Sequence, residues 1–258
     1  MEIWQAIVLG AVQGFAEFLP ISSSGHLLLM QKWFGLTEGV WFFNIMLHIG
    51  TLIPVLIVLW KDVLDMFKKP FSRFGFWVLA SIPAGIVGLI IALVCDLDEI
   101  FLNNIWLLGI TFLLTAGELV FSERFAKKNQ MLNPINVKTA LIMGCGQACG
   151  VLPGLSRSGT TITAGTIAKV DRNENAVFTF IMSIPVILAA AVLEGYTGIK
   201  DGTLEIEALP LIFGMVTAMV TGYIAVKFML KIIRKADYKW FSLYLVLISI
   251  ATFVTAFI

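Results

Sequence analysis

A chain of 258 residues that is 59% hydrophobic and 14% charged, with a net charge of +1 and a mean hydropathy of +0.92, lacks the polar residues to cover a soluble surface. An average globular domain is about 25% charged, and several stretches here reach the roughly 18 apolar residues that cross a hydrocarbon core of about 30 Å. The composition excludes a water-soluble globule and predicts an all-α polytopic membrane protein.

In chain order, the first segment (about 3–34) is apolar but broken by Pro20, three serines and Gly25. It has no basic start, and Glu17 and "PISSSGH" follow its apolar run, so it reads as part of the fold and not as a signal peptide. Apolar spans follow near 41–60, 76–94 and 105–121. A second broken segment covers about 137–170, and three more spans fall near 175–194, 209–230 and 240–257. The Gly, Pro and Ser clusters free backbone groups that lipid cannot satisfy, which is tolerated at membrane depth only inside protein or beside water. Both broken segments are therefore expected to be re-entrant helical hairpins. "SIP" at 81–83 and 183–185 marks helix kinks. Cys95, Cys145 and Cys149 show no zinc or redox spacing and are expected to be small buried hydrophobes.

The two broken segments resemble each other. "GAVQGFAEFLPISSSG" starts at Gly10 and "GCGQACGVLPGLSRSG" at Gly144. A shift of 134 superposes Gly10 on Gly144, Gln13 on Gln147, Ser22 on Ser156, Ser24 on Ser158 and Gly25 on Gly159. The same shift carries each early span onto a later one within a residue or two. The chain thus reads as a single integral membrane domain, 1–258, made of repeat one (1–130) and repeat two (135–258), each with one hairpin and three spans. Three is odd, so the halves should enter the membrane in opposite senses, as an inverted repeat that assembles its site near the midplane. Fifteen basic residues, from Lys61 to Lys239, fall on one side, against Lys32 and Lys200 among acidic residues on the other. By the positive-inside rule the first side is cytoplasmic. Both termini then lie outside, the first hairpin dips in from outside and the second from the cytoplasm.

Glu17, His26, His48, Glu118, Arg157 and Glu194 are the ionisable residues expected within membrane depth, where charge is expensive and marks function. Glu17, His26 and Arg157 belong to the hairpins and should converge. "PGLSRSGTT" at 153–161 rings a permanent cation with hydroxyls and glycines. Arg157 must face an anion or an acceptor. Ser156, Ser158, Thr160 and Thr161 offer donors, and Gly154 and Gly159 belong to the same loop. "TTITAGTIAK" reads as a half-helix whose N-terminus points at the same spot, which suits phosphate. The plainer reading is a structural Arg157–Glu17 pair bridging the hairpins. On the other hairpin, "EFLPISSSGH" groups Glu17, Ser22, Ser23, Ser24 and His26. His26 could activate a serine, protonate a leaving group or attack phosphorus. Glu17 could orient that histidine, or hold a divalent cation with Gln13 one helical turn earlier. The plainer reading there is a solvated turn with capping serines. His48 reads as a hydrogen-bonded interhelical histidine, and Glu118 and Glu194 as residues that reach the interface or pair locally.

"QGFAEFLPISSSGH" and "PGLSRSGTT" resemble the two signature segments of the undecaprenyl-diphosphate phosphatases of bacterial envelopes, the bacitracin-resistance type. The likeness covers essentially the whole chain in length, hairpin order and span count. It implies a multi-pass enzyme of the bacterial plasma membrane, its active site open to the outer side. Such an enzyme removes the terminal phosphate of undecaprenyl diphosphate and recycles the lipid carrier of peptidoglycan precursors. The resemblance also implies a divalent cation, Mg2+ or Ca2+, and an inverted-repeat fold that can form a homodimer. Its partners would be a polyprenyl diphosphate lipid and the bilayer, not a nucleic acid. Carried over by residue, the family's Glu/Gln-x-x-x-Glu element falls on Gln13 and Glu17, and its serine and histidine on Ser23 and His26. Its Pro-Gly-x-Ser-Arg-Ser motif falls on Pro153 through Ser158 and its threonine on Thr161. Many members carry glutamate where this chain has Gln13, which leaves Glu17 as the main acidic ligand.

The expected mechanism binds the phosphates with Arg157, Ser156, Ser158, Thr161 and the half-helix N-terminus. Ser23 activated by His26, or His26 itself, attacks the terminal phosphorus, and water then releases phosphate. The rival is a transporter or flippase of isoprenoid phosphate lipids using the same pocket. The grouping of His26, Ser23 and Glu17 favours chemistry, since carrying needs no nucleophile. "GIVGLIIA" at 85–92 offers a small-residue face for helix packing.

Overall fold

The computed structural model describes residues 1–36, 40–201, 207–235 and 237–258. Twelve helices account for most of the described chain. A hairpin of α1 (Ile3–Phe18) and α2 (Ser23–Phe34) leads to α3 (Trp41–Val58), the short α4 (Trp60–Met66) and α5 (Ser72–Val94). The short α6 (Leu97–Asn103) and α7 (Trp106–Lys128) follow. A second hairpin, α8 (Val137–Cys149) and α9 (Arg157–Ile167), leads to α10 (Arg172–Asp201), α11 (Ala208–Lys235) and α12 (Lys239–Phe257). Six of these helices, α3, α5, α7, α10, α11 and α12, are long and apolar enough to cross a membrane. The protein is multi-pass and all-helical, and its spans fall where hydropathy places them.

The four hairpin helices are shorter, at 16, 12, 13 and 11 residues. At about 1.5 Å per residue each covers between roughly half and four-fifths of a core of about 30 Å. Their ends follow from local chemistry. α1 stops at Leu19, which precedes Pro20 and is extended (φ −72°, ψ 145°). α2 starts on a Ser22 cap whose Oγ accepts from Gly25 N at 3.4 Å and ends at Gly35 in the left-handed region (φ 68°). α8 opens on a reciprocal cap between Asn136 and Thr139. α9 opens on Ser156, whose Oγ accepts from Gly159 N at 3.1 Å.

Two helix contacts locate the hairpins. α1 lies along α11, and α8 lies along α5. A Cβ on Gly10 would stand 2.3 Å from the Gly214 carbonyl oxygen, and one on Gly144 2.4 Å from that of Ala80. Nothing larger than hydrogen fits at either point without separating the helices. α7 packs on α12, and α3 on α10 and α11. The largest buried cluster, with Phe18, Phe112, Leu119, Phe180 and Tyr238, fills the space between these pairs.

Pro83 and Pro185 lie inside α5 and α10. Pro185 brings no N–H for the Ile181 carbonyl, and the Trp77 indole supplies the missing donor at 2.9 Å. The cysteines differ from expectation. Cys145 and Cys149 are exposed and Cys95 half-buried, all as free thiols. α8 turns Ala140, Met143, Gly144 and Gln147 inward, which leaves 145 and 149 on the outward face. The side chains of Glu194, Lys200, Asp201, Glu205 and Arg234 fall outside the described residues.

Candidate active site

The tips of the two hairpins touch. A Cβ on Gly25 would stand 2.8 Å from Gly154 Cα, so the two turns meet backbone to backbone. Ser158 Oγ donates to the Leu19 carbonyl at 3.1 Å. Across this seam Arg157 Nη2 donates to Glu17 Oε1, and Nη1 reaches the Ser183 carbonyl at 3.4 Å. The other carboxylate oxygen, Glu17 Oε2, accepts from Ser23 Oγ at 2.6 Å and from Gln13 Nε2 at 3.0 Å. Gln13 Nε2 also lies 2.8 Å from His48 Nδ1, which is itself 3.3 Å from Glu17 Oε2. The two hairpins therefore converge as expected, and the contact between them is the Arg157–Glu17 pair of the plainer reading.

Of this network, Glu17, Ser23, His48 and Arg157 belong to the polar lining of a cavity of about 220 Å³. Glu17, Ser22, Ser23, Ser24, Ser156 and Arg157 come from the hairpins, Asn44 and His48 from α3, and Asp98 from α6. Much of the remaining lining is apolar, with Leu27 and Leu28 of α2, Trp41 and Ile45 of α3, and Val186, Ile187, Ala190 and Ala191 of α10. Arg157 is 18% exposed at its side chain and Glu17 only 2%, so the guanidinium meets a ligand first and the carboxylate acts from behind it. Asp98 is an exposed residue of α6; the protein packed around its carboxyl, and Asp96 beside it, raise its pKa above the ordinary value, while His48 opposes the rise.

Several expected residues sit elsewhere. Thr160 and Thr161 do not reach the cavity, because their hydroxyls donate to the Arg157 carbonyl one turn back, at 3.1 and 2.7 Å. Gly154 turns at φ 83° and its carbonyl accepts from Thr115 Oγ1 at 3.0 Å, while the Gly159 amide is spent on the Ser156 cap. Both shape the loop without lining the cavity. Ser158 is spent on Leu19.

His26 departs furthest from its expected place. Its Nδ1 lies 2.7 Å from the Ser22 carbonyl and its Nε2 2.7 Å from the Tyr244 hydroxyl. Ser23 is bound to Glu17 instead, so neither the expected Ser23–His26 contact nor an orienting bond from Glu17 to His26 is made. One oxygen of Glu118, Oε1, is buried without a partner among the described residues, close to the space a Cβ on Gly159 would fill.

His48, Asn44 and Trp41 were the residues least legible as site residues. The signal that finds them is positional, since 41, 44, 45 and 48 recur on one face of α3.

Fold and site together define a multi-pass membrane protein with an anion-suited interior cavity whose remaining lining is largely apolar. The chain belongs to the family described as Bacitracin resistance protein BacA, whose model matches residues 6–251. It is 39% identical to an undecaprenyl-diphosphatase of Carboxydothermus hydrogenoformans over 98% of this chain and 97% of that protein. It is 36% identical to an undecaprenyl-diphosphatase of Halothermothrix orenii, over 99% of each chain. A third relative, an undecaprenyl-diphosphatase of Methanobrevibacter smithii, is 35% identical over 98% of this chain and 97% of that protein.

Proposed function

We propose that this chain is a membrane hydrolase that converts undecaprenyl diphosphate to undecaprenyl phosphate and inorganic phosphate. In that role it recycles the lipid carrier of cell-wall precursors. The observation that carries the reading is a serine hydroxyl 2.6 Å from a buried carboxylate, in the same cavity as a guanidinium and an apolar lining. The diphosphate takes Arg157 from Glu17, with Ser22, Ser24 and Ser156 around it, and the isoprenoid chain runs along Trp41, Ile45 and Ala190. Glu17 accepts the Ser23 proton as Ser23 Oγ attacks the terminal phosphorus. The bond to the bridging oxygen breaks, undecaprenyl phosphate leaves, and water later hydrolyses the phosphoserine. Arg157 neutralises charge on the equatorial oxygens, where electrostatic stabilisation contributes most.

Gln13 and Glu17 are the residues that would hold Mg2+ or Ca2+. Gln13 Oε1 is buried without a partner among the described residues, and amide and carboxylate oxygens are the hard donors such ions take. A bound cation would neutralise phosphate charge alongside Arg157.

The inverted repeat with two re-entrant hairpins is part of the same proposal, over 1–130 and 135–258. It is supported by the paired contacts Gly10–Gly214 and Gly144–Ala80, whose partners differ by 134 in both cases. Positive-inside charge supports an outer-side position for both termini and for Asp98 of the cavity lining. The small-residue face of α5 is the surface offered to a second copy in a homodimer. Among the described residues, Cβ atoms on Gly85 and Gly88 would meet nothing within 4 Å.

Purified protein in detergent should release free phosphate from a long-chain isoprenoid diphosphate. Movement of that lipid across proteoliposomes with no phosphate released would decide for the transporter.

A further inference from the structure

Ser22 is held at φ 69°, ψ 99°, a left-handed backbone that costs a side-chain-bearing residue and persists only where its surroundings impose it. Its neighbours show what imposes it. The Ser22 carbonyl accepts from His26 N at 3.2 Å and faces His26 Nδ1 at 2.7 Å. A carbonyl only accepts, so in the neutral ring the proton sits on Nδ1 and Nε2 accepts from the Tyr244 hydroxyl at 2.7 Å. The imidazole is stacked on Tyr244, with centroids 5.5 Å apart and planes 11° apart, and tilted on Phe112 at 5.0 Å. His26 is 6% exposed and is not on the cavity wall. Both ring nitrogens are spent away from the space where phosphorus would sit.

We infer that His26 is a clamp and not a reactant, and that Tyr244 is the positioning residue that sets it. Together they hold the strained Ser22 turn that aims Ser23 at Glu17. Tyr244 belongs to α12, so the second half of the chain fixes the nucleophile of the first. Ser22 and Ser23 are adjacent, and a relaxed Ser22 would rotate the start of α2 and take Ser23 Oγ off Glu17. The inference rests on the hydrolase reading above, and its test includes one arm independent of turnover.

The discriminating variants are His26→Asn and His26→Gln in the full chain. An asparagine amide places an N–H where Nδ1 stands, and a glutamine amide places one where Nε2 stands. His26→Asn is expected within about tenfold of wild type, with every limb of the pH–rate profile retained. His26→Gln and His26→Ala should fall about 100-fold, the scale of a misplacement near 1 Å. Tyr244→Phe, which keeps the stack but loses the hydroxyl, should lower kcat a few-fold at unchanged KM, and Tyr244→Ala more.

Because the chain has only 2 histidines, nitrogen-15 NMR of His48→Gln protein reads His26 alone. The Nδ1–H tautomer is expected there, and in the His48→Gln, Tyr244→Phe double variant it should be kept by the Ser22 carbonyl while the Nε2 resonance shifts with loss of the hydroxyl that donates to it. The inference is overturned if His26→Gln outperforms His26→Asn, if His26→Asn loses a limb of the pH profile, if Tyr244→Ala turns over at the wild-type rate, or if the Nε2–H tautomer is found. Wild-type protein that releases no phosphate would instead remove the hydrolase reading, and the NMR arm would still decide the clamp.

Discussion

In both hairpins a serine caps the second helix through the amide three residues on, Ser22 with Gly25 and Ser156 with Gly159. The residue after each cap opens the helix, and these are Ser23 in α2 and Arg157 in α9. The shift of 134 that aligns the caps also sets Ser23 on Arg157, Glu17 on Val151 and His26 on Thr160. The scaffold recurs while the reactive groups do not. Had both halves carried a serine and a carboxylate, the seam would set two anions face to face. Had both carried arginine, it would hold two cations. The site needs the two turns to differ where they meet, and the sharing of caps makes that difference local.

The largest expected effect comes from cutting the charge that only the second hairpin supplies. Arg157→Ala leaves Glu17, 2% exposed, as a buried carboxylate without its cation. Breaking one partner of such a pair costs about 3–5 kcal/mol. Phosphate release should fall by about 10²–10³ or more, as for loss of a principal transition-state donor. Arg157→Lys keeps charge but not the fork that spans Glu17 and the Ser183 carbonyl, and should recover stability more than rate. Near-normal turnover by folded Arg157→Ala would break the division of labour between the hairpins.

A pair of serine variants sharpens the same contrast. Ser23→Ala removes the hydroxyl that donates to Glu17 and should reduce turnover by at least about 10³, the scale for removal of an activated nucleophile. Ser156→Ala removes a helix cap and one neutral hydroxyl of the cavity lining, and no group that reacts. It is expected to cost about 1 kcal/mol in thermal unfolding and to leave the rate within a few-fold. Equal losses of rate in the two variants would mean that capping, not nucleophilicity, explains both serines.

What could be read from residues alone follows this division. Spans and hairpins were legible because lipid enforces long apolar runs and punishes every Gly, Pro and Ser that interrupts them. The meeting of Glu17 and Arg157 was legible because buried charges must find partners. The direction in which a side chain leaves its helix was not. In a chain this apolar the lipid-facing and protein-facing sides look alike, so the exposed faces of Cys145 and Cys149 carried no periodic signal. The expected Ser23–His26 contact is not made, for a related reason. Proximity in sequence to Ser23 suggests contact, yet on a helix residues three apart reach a common neighbour only if their side chains lean together. Here one leans to Glu17 and the other to Tyr244. Thr160 and Thr161 look like anion donors until their hydroxyls are found on the carbonyl one turn back.

The smallest expected effect tests whether the second hairpin keeps a residue it no longer uses. Gln13 and Gln147 are equivalent under the shift and both wholly buried. Gln13 gives its amide to Glu17 and faces His48, whereas neither Nε2 nor Oε1 of Gln147 has a partner among the described residues. A buried amide left unsatisfied costs on the order of 1–3 kcal/mol, and an apolar residue of similar shape removes that cost. Gln147→Leu is therefore expected to raise the unfolding midpoint, by a stabilisation of about 1 kcal/mol, with turnover unchanged. Gln13→Leu should lower turnover about tenfold through the lost bond to a charged carboxylate. The two effects have opposite signs at equivalent positions because only one half supplies a carboxylate for the amide to serve. A loss of stability in Gln147→Leu would show that its amide has a partner after all, and that the halves are more alike than their charges suggest.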